Sequence, residues 1–123
     1  MTFRPFTDRS ALPALLASAH ALVVPSRWRE PAGLTVGEGM AAGAVVIASR
    51  VGGIPELLGD AGVLVRPDDP KALAAAMARV ADDPAEREAL ARAGRARAEQ
   101  RDWAWAWRLL RDVLDESLTL PRD

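Results

Sequence analysis

Two short, unbroken apolar runs, Ala21–Val24 and Ala44–Ala48, stand on either side of a stretch that opens with Gly33-Leu34-Thr35 and closes at Gly43. A continuous apolar run ended by Pro25-Ser26 is the pattern of a strand covered on both faces. A helix between two such runs returns the chain to the same end of a sheet, which predicts a parallel βαβ unit. The cycle then repeats. Gly52-Gly53 marks a loop, Pro55 suits the first turn of a short helix containing Leu57 and Leu58, and Gly62–Val65 predicts a third buried strand. Ahead of the first run, Thr2-Phe3 with Phe6 predicts another short strand. Leu12, Leu15, Leu16 and Ala19 then recur at helical spacing behind Asp8 as a possible cap.

The last third of the chain reads as helix throughout. Asp69-Pro70 and Asp83-Pro84 both pair a capping acid with a first-turn proline, and Leu73, Met77 and Val80 predict the buried stripe of the first helix so opened. Asp102 is placed to cap a final helix with Trp103, Trp107, Leu110 and Leu114 along one face and Trp105 on another. The expected fold class is α/β: a partial Rossmann-like domain, a parallel sheet with flanking helices, and a helical C-terminal tail. No internal repeat, low-complexity tract or interdomain linker divides it.

Composition narrows the function classes. At 123 residues there is room for one domain, and a chain of that size buries about two-thirds of its unfolded surface, enough for a core. A net charge of −1 with the two signs interspersed leaves no electrostatic footprint for nucleic acid. With no cysteine and only His20, the chain offers neither a disulfide framework nor a thiolate metal site. The apolar stretch from Ala11 to Val24 follows Arg4 and Arg9 and contains Ala19-His20-Ala21, which has the look of a leader cleavage site. Asp8 in the charged region, with Pro13 and His20 interrupting the run, argues against a leader, and the stretch is too short to span a bilayer.

Candidate chemistry centres on Glu30 and Glu38, separated by seven residues. The first stands in a loop after a strand and the second about one turn into the following helix, so both can face a polyhydroxyl ligand at one crevice. Parallel sheets bind ligands beyond the carboxyl ends of their strands, which singles out the loops Ser26–Gly33, Ser49–Pro55 and Arg66–Pro70. Gly33 permits close backbone approach, and the amides of Gly33 and Leu34 open a helix whose positive end favours a diphosphate or hydroxyl oxygens. A carboxylate can accept from two neighbouring hydroxyls at once. Blander readings stand beside these. Thr35 and Glu38 have the spacing of a capping box, Glu30 reads equally as an exposed loop acid, and Gly52-Gly53 as a simple turn. His20 reads as a helix-end residue. Arg87, Arg92, Arg95, Arg97 and Arg101, interspersed with Glu86, Glu88 and Glu99, read as a solvated helix face, and the tryptophans as packing.

In order along the chain, Pro25-Ser26, Glu30-Pro31-Ala32-Gly33-Leu34, Glu38–Gly43, Val46–Ser49, Gly52–Glu56 and Gly62–Val65 resemble the carboxyl-terminal, donor-binding half of a family 4 retaining glycosyltransferase over nearly the whole sequence. The resemblance implies the GT-B fold, two Rossmann-like domains facing across a cleft, with a UDP- or GDP-sugar held mostly by the second. It implies that Glu30 contacts the donor hexose and stabilises charge at the anomeric carbon, and that Glu38 binds the ribose hydroxyls. The backbone amides around Ala32, Gly33 and Leu34 would reach sugar hydroxyls and phosphate. The acceptor, a saccharide or a lipid-linked one, would attack from the front face with no metal or other cofactor. Trp103 resembles the aromatic residue that opens the family's terminal helix.

Two positions depart from the family pattern: Ala32, where an aromatic residue is usual, and Gly39, where alanine is usual. The second change lowers helix propensity by roughly 1 kcal/mol and predicts a looser helix. The resemblance also implies that residues 1–123 form a partial C-terminal domain, without the acceptor domain or the opening strands of the donor domain. In a 3-2-1-4-5-6 sheet, Ala21–Val24 would then be an open edge, and Thr2-Phe3 would lack its partner. An apolar edge predicts self-association, docking on a complementary polypeptide, or partial folding. Activity is expected of the complete enzyme. The alternatives are a noncatalytic nucleotide-sugar-binding or interaction module and an inactive remnant. A cytoplasmic location is expected, with any peripheral membrane contact residing mainly in the acceptor domain.

Overall fold

The apolar runs form a three-stranded parallel sheet of β1 (Ala21–Val24), β2 (Val45–Ser49) and β3 (Val63–Val65), with β2 in the middle. Ala21 pairs with Val45 and Ile47 with Val63, which fixes the register. The computed structural model describes residues 7–31 and 33–119, so the strand expected at Thr2-Phe3 lies outside the described residues. Among the described residues six helices accompany the sheet: α1 (Leu12–Ala17), α2 (Leu34–Ala42), α3 (Ile54–Leu58), α4 (Pro70–Asp82), α5 (Pro84–Gln100) and α6 (Trp103–Thr119).

Each sheet face has its own core. On one face, Val24, Val46 and Ala48 pack with Val36 and Met40 of α2, Ile54 and Leu58 of α3, and Ala98 of α5. On the other, Val45, Ile47, Val63 and Val65 meet Ala76 and Val80 of α4, with Leu90 and Ala91 of α5 against them. Helix α5 therefore serves both faces, passing Gly94 close to the carbonyl of Ala61 and to Met40. Only β2 is buried along its full length. In β1 only Val24 is buried, because among the described residues this strand has a neighbour on one side alone. Leu22 and Val24 pack into one core and Ala21 and Val23 against the other, so β1 is covered on both faces as expected, while among the described residues its outer edge has no strand beside it.

Local signals decide the helix ends. The Asp69 carboxylate accepts from the Ala72 N–H at 2.9 Å and that of Asp83 from the Glu86 N–H at 2.9 Å, with proline opening each helix. Asp102 accepts from the Trp105 N–H at 2.8 Å. Such caps contribute about 1 kcal/mol each. Asp8 does not cap α1: it accepts from the side chain and N–H of Ser10, two residues on. Those bonds hold its carboxyl below the usual range, the side-chain bond more than the backbone one.

Four readings of the helical third are corrected. Met77 is 47% exposed, and the buried stripe of α4 passes through Ala76 instead, because α4 meets the sheet one residue round from the face that Met77 occupies. Arg87 donates to the carbonyls of Val80 and Ala81 at 2.9 and 3.1 Å, closing the end of α4. Arg97 reaches across 40 residues to the carbonyls of Leu57 and Glu56, both at 2.7 Å. Only Arg92 and Arg95 fit the solvated-face reading, paired with Glu88 and Glu99. On α6, Trp107 is 61% exposed, while Trp105 is half-buried, with the Arg101 guanidinium 5.3 Å from its ring.

Gly39 lies buried against the sheet. A Cβ there would stand 2.5 Å from Leu22 Cδ2 and 3.1 Å from Val46 Cγ2. The missing methyl thus leaves room for Leu22 and Val46 where α2 crosses the sheet, a packing role beside the propensity cost.

Candidate functional site

Three loops leave the carboxyl ends of the strands. Those after β1 and β3 are joined by an ion pair between Arg27 and Asp68, exposed and worth at most about 1 kcal/mol. Below it lies a depression of about 230 Å³ lined by Pro25, Ser49, Arg66, Asp69 and Leu73. The loop after β2 instead turns toward Glu30.

Glu30 is half-buried and tethered. Its carboxylate accepts from the hydroxyl of Ser26, its carbonyl accepts from the Gly53 N–H at 2.8 Å, and its own N–H donates to the Trp28 carbonyl at 2.9 Å. The exposed-loop-acid reading is thereby corrected. Gly52 has φ 53°, and a Cβ on it would stand 2.2 Å from the Glu30 carbonyl oxygen. The Gly-Gly pair is thus more than a turn: it lets the β2–α3 loop lie on the backbone of Glu30.

Gly33, buried and at φ 61°, starts α2 from a left-handed conformation, and Ile54 Cγ1 would be 3.1 Å from any Cβ there. No side chain caps the helix it opens, so the first-turn N–H groups have no side-chain acceptor. This overturns the capping box: Thr35 lies inside the helix, too late to cap it. Leu34 is 80% exposed, and Trp28, in the loop after β1, 81%. Ala32 lies outside the described residues.

Glu38 lies one turn further on, about 6 Å along the axis from Leu34. It lines a groove of about 270 Å³ between α1 and α2 with Arg9, Leu12, Pro13, Leu16 and Ala41, and its carboxylate makes no hydrogen bond to the described residues. The structure therefore brings Glu30 together with Ser26 and the Gly52-Gly53 turn, and Glu38 together with α1. His20 is exposed ahead of β1. Among the described residues, no three His, Cys, Asp or Glu side chains gather as a metal site, and no helix is long and apolar enough to cross a membrane.

Sequence reasoning missed the Ser26–Glu30 bond and the pinch at Gly52. The first had a signal in the four-residue spacing of a hydroxyl and a carboxylate across one loop. The second joins residues from separate loops, and only the adjacency of glycines hinted at it.

Known proteins resemble the chain closely. Residues 1–97 match the family model described as glycosyl transferases group 1. A glycogen synthase of Mycobacterium tuberculosis is 43% identical over 100 residues, 80% of this chain and 24% of that protein. A D-inositol 3-phosphate glycosyltransferase of Streptomyces avermitilis is 36% identical across 98% of this chain and 26% of its own length. Among solved structures, the sucrose-phosphate synthase of Thermosynechococcus elongatus superposes with a TM-score of 0.77 at 39% identity, covering 95% of this chain and 30% of that one. Anabaena HepE in complex with UDP gives 0.79 at 27%, covering 88% and 30%. The chain spans about a quarter of the length of the curated relatives it matches.

Proposed function

We propose a function from one premise: the chain belongs to the glycosyl transferases group 1 family. The function is the donor side of a retaining, nucleotide-sugar-dependent hexosyl transfer. The observation that carries it is the tethered carboxylate of Glu30 at the end of β1, beside the uncapped start of α2. A nucleoside diphosphate in one structural neighbour supports a nucleotide as ligand.

In this reading the donor is a UDP- or GDP-sugar and acts as substrate, with no separate cofactor. The amides of Gly33 and Leu34, with that of Ala32, meet the diphosphate and a sugar hydroxyl, where the helix dipole favours negative charge. Glu38, its oxygens uncommitted to the described residues, accepts from the two ribose hydroxyls. Glu30 accepts from the hexose and stabilises positive charge as the anomeric bond to phosphate lengthens. An acceptor hydroxyl, on a saccharide or a lipid-linked saccharide, then attacks from the face the diphosphate leaves. Residues 1–123 supply the donor-binding portion of this arrangement.

The test is a thermal melt of the purified chain with UDP, GDP, UDP-glucose and GDP-mannose, with Glu38→Ala alongside. A ligand at about one hundred times its Kd adds about 2.7 kcal/mol, a shift on the order of 10 °C for a domain of this size. The expected result is a shift with one nucleotide series that Glu38→Ala abolishes. A cooperative melt that none of the four ligands moves overturns the donor-site reading and leaves an interaction module or an inactive remnant.

A further inference from the structure

The donor-site reading gives Glu30 a ligand to meet but not a reason for its side chain to point at it. A glutamate on a loop has three side-chain torsions to fix, and a site held only loosely forfeits much of its effect. At Glu30 the backbone is already determined. The Gly53 N–H holds its carbonyl and the Trp28 carbonyl holds its N–H. Gly52 presses on the same peptide closely enough that a Cβ would also lie 2.7 Å from the Glu30 nitrogen and 2.9 Å from the Arg29 carbonyl carbon. The short helix that this turn opens is held at its far end, where Arg97 of α5 donates to the carbonyls of Glu56 and Leu57. What remains free is the side chain, and the one described group that bonds it is the Ser26 hydroxyl.

We propose that Ser26 is the positioning residue of the site: resting on the donor-site reading above, its hydroxyl fixes the Glu30 carboxylate in the orientation that meets the donor sugar. The bond is charge-assisted, and so among the stronger kinds. It engages Oε1 alone among the described residues and leaves Oε2 for a sugar hydroxyl. Ser26 is itself half-buried at the end of β1, so its own position follows the sheet.

Titration calorimetry on the full chain tests this, with UDP and GDP as nucleotide probes and UDP-glucose and GDP-mannose as sugar-bearing ones. The quantity read is the ratio of the nucleotide Kd to the nucleotide-sugar Kd, which isolates the sugar's contribution. Ser26→Ala is expected to lower that ratio about tenfold while the nucleotide alone binds within about twofold of the original affinity. Ser26→Thr, which keeps a hydroxyl, is expected to restore the ratio. In a Glu30→Ala background, Ser26→Ala is expected to change nothing further, the signature of one residue acting through the other.

Equal losses for nucleotide and nucleotide-sugar, or a further loss in the Glu30→Ala background, overturn the positioning role while leaving the donor site standing. An unchanged ratio in Ser26→Ala does the same. Binding of none of the four probes by the unsubstituted chain overturns the donor-site reading itself, and the Ser26 proposal with it.

Discussion

Helix α2 places Val36 and Met40 wholly out of solvent, whereas α6, nearly twice as long, leaves Trp107, Leu109, Leu110, Val113 and Leu114 about half exposed or more. Apolar spacing on paper marks α6 as strongly as α2, yet the outcome differs because burial depends on what stands opposite. α2 has the sheet beneath it and α5 along its flank, and Gly39 leaves space there for Leu22 and Val46. The start of α6 faces the α2–α3 side only across a groove of about 500 Å³ that Trp105 and Ala106 line with Pro31, Leu34 and Leu57. A periodic stripe shows that a helix has an apolar face; the fold decides whether that face is covered.

Three substitutions probe the contrast. Met40→Ala removes a side chain with no solvent exposure from the packed face and is expected to cost about 2–5 kcal/mol in urea unfolding; a loss below 1 kcal/mol would mean that α2 is less tightly held than its burial indicates. Gly39→Ala sets a propensity gain of about 1 kcal/mol against an overpacking cost of about 1–3 kcal/mol. The expected result is a variant no more stable than the original, and a raised melting temperature would show that α2 has room to move. Trp107→Gln on α6 is expected to change stability by no more than about 0.5 kcal/mol. A loss of several times that would show α6 covered in solution after all, erasing the distinction from α2.

What the sequence made legible is what adjacent residues decide. The Asp-Pro pairs at 69–70 and 83–84 open helices where expected, because a capping carboxylate acts three residues away. Gly33 and Gly43, at φ 61° and 81°, bound α2 where their freedom of backbone angle is needed. The three described strands lie within a residue of the runs that predicted them. The site was legible in outline: the string around Glu30 and Glu38 led to the family. Their settings were not, because a groove against α1 and a clasp by the β2–α3 turn arise only once distant segments meet. Arg97 illustrates the limit: its neighbours in the chain suggest a solvated face, and its partners are 40 residues back. Met77 and Trp107 fail for a related reason, since a shift of one or two residues around a helix exchanges inside for outside.

Because α5 packs on both sides of the sheet, neither core is complete without it: Leu90 and Ala91 join one, and Ala98, in its last turn, joins the other. During synthesis, β3 is finished at Val65, but the helix that joins the two layers ends only at Gln100. At about 5–20 residues per second that interval lasts roughly 2–7 s, during which the strands exist without their full cover. The newborn chain thus passes through a vulnerable period whose length is set by the ribosome, and slow codons between 66 and 100 would extend it.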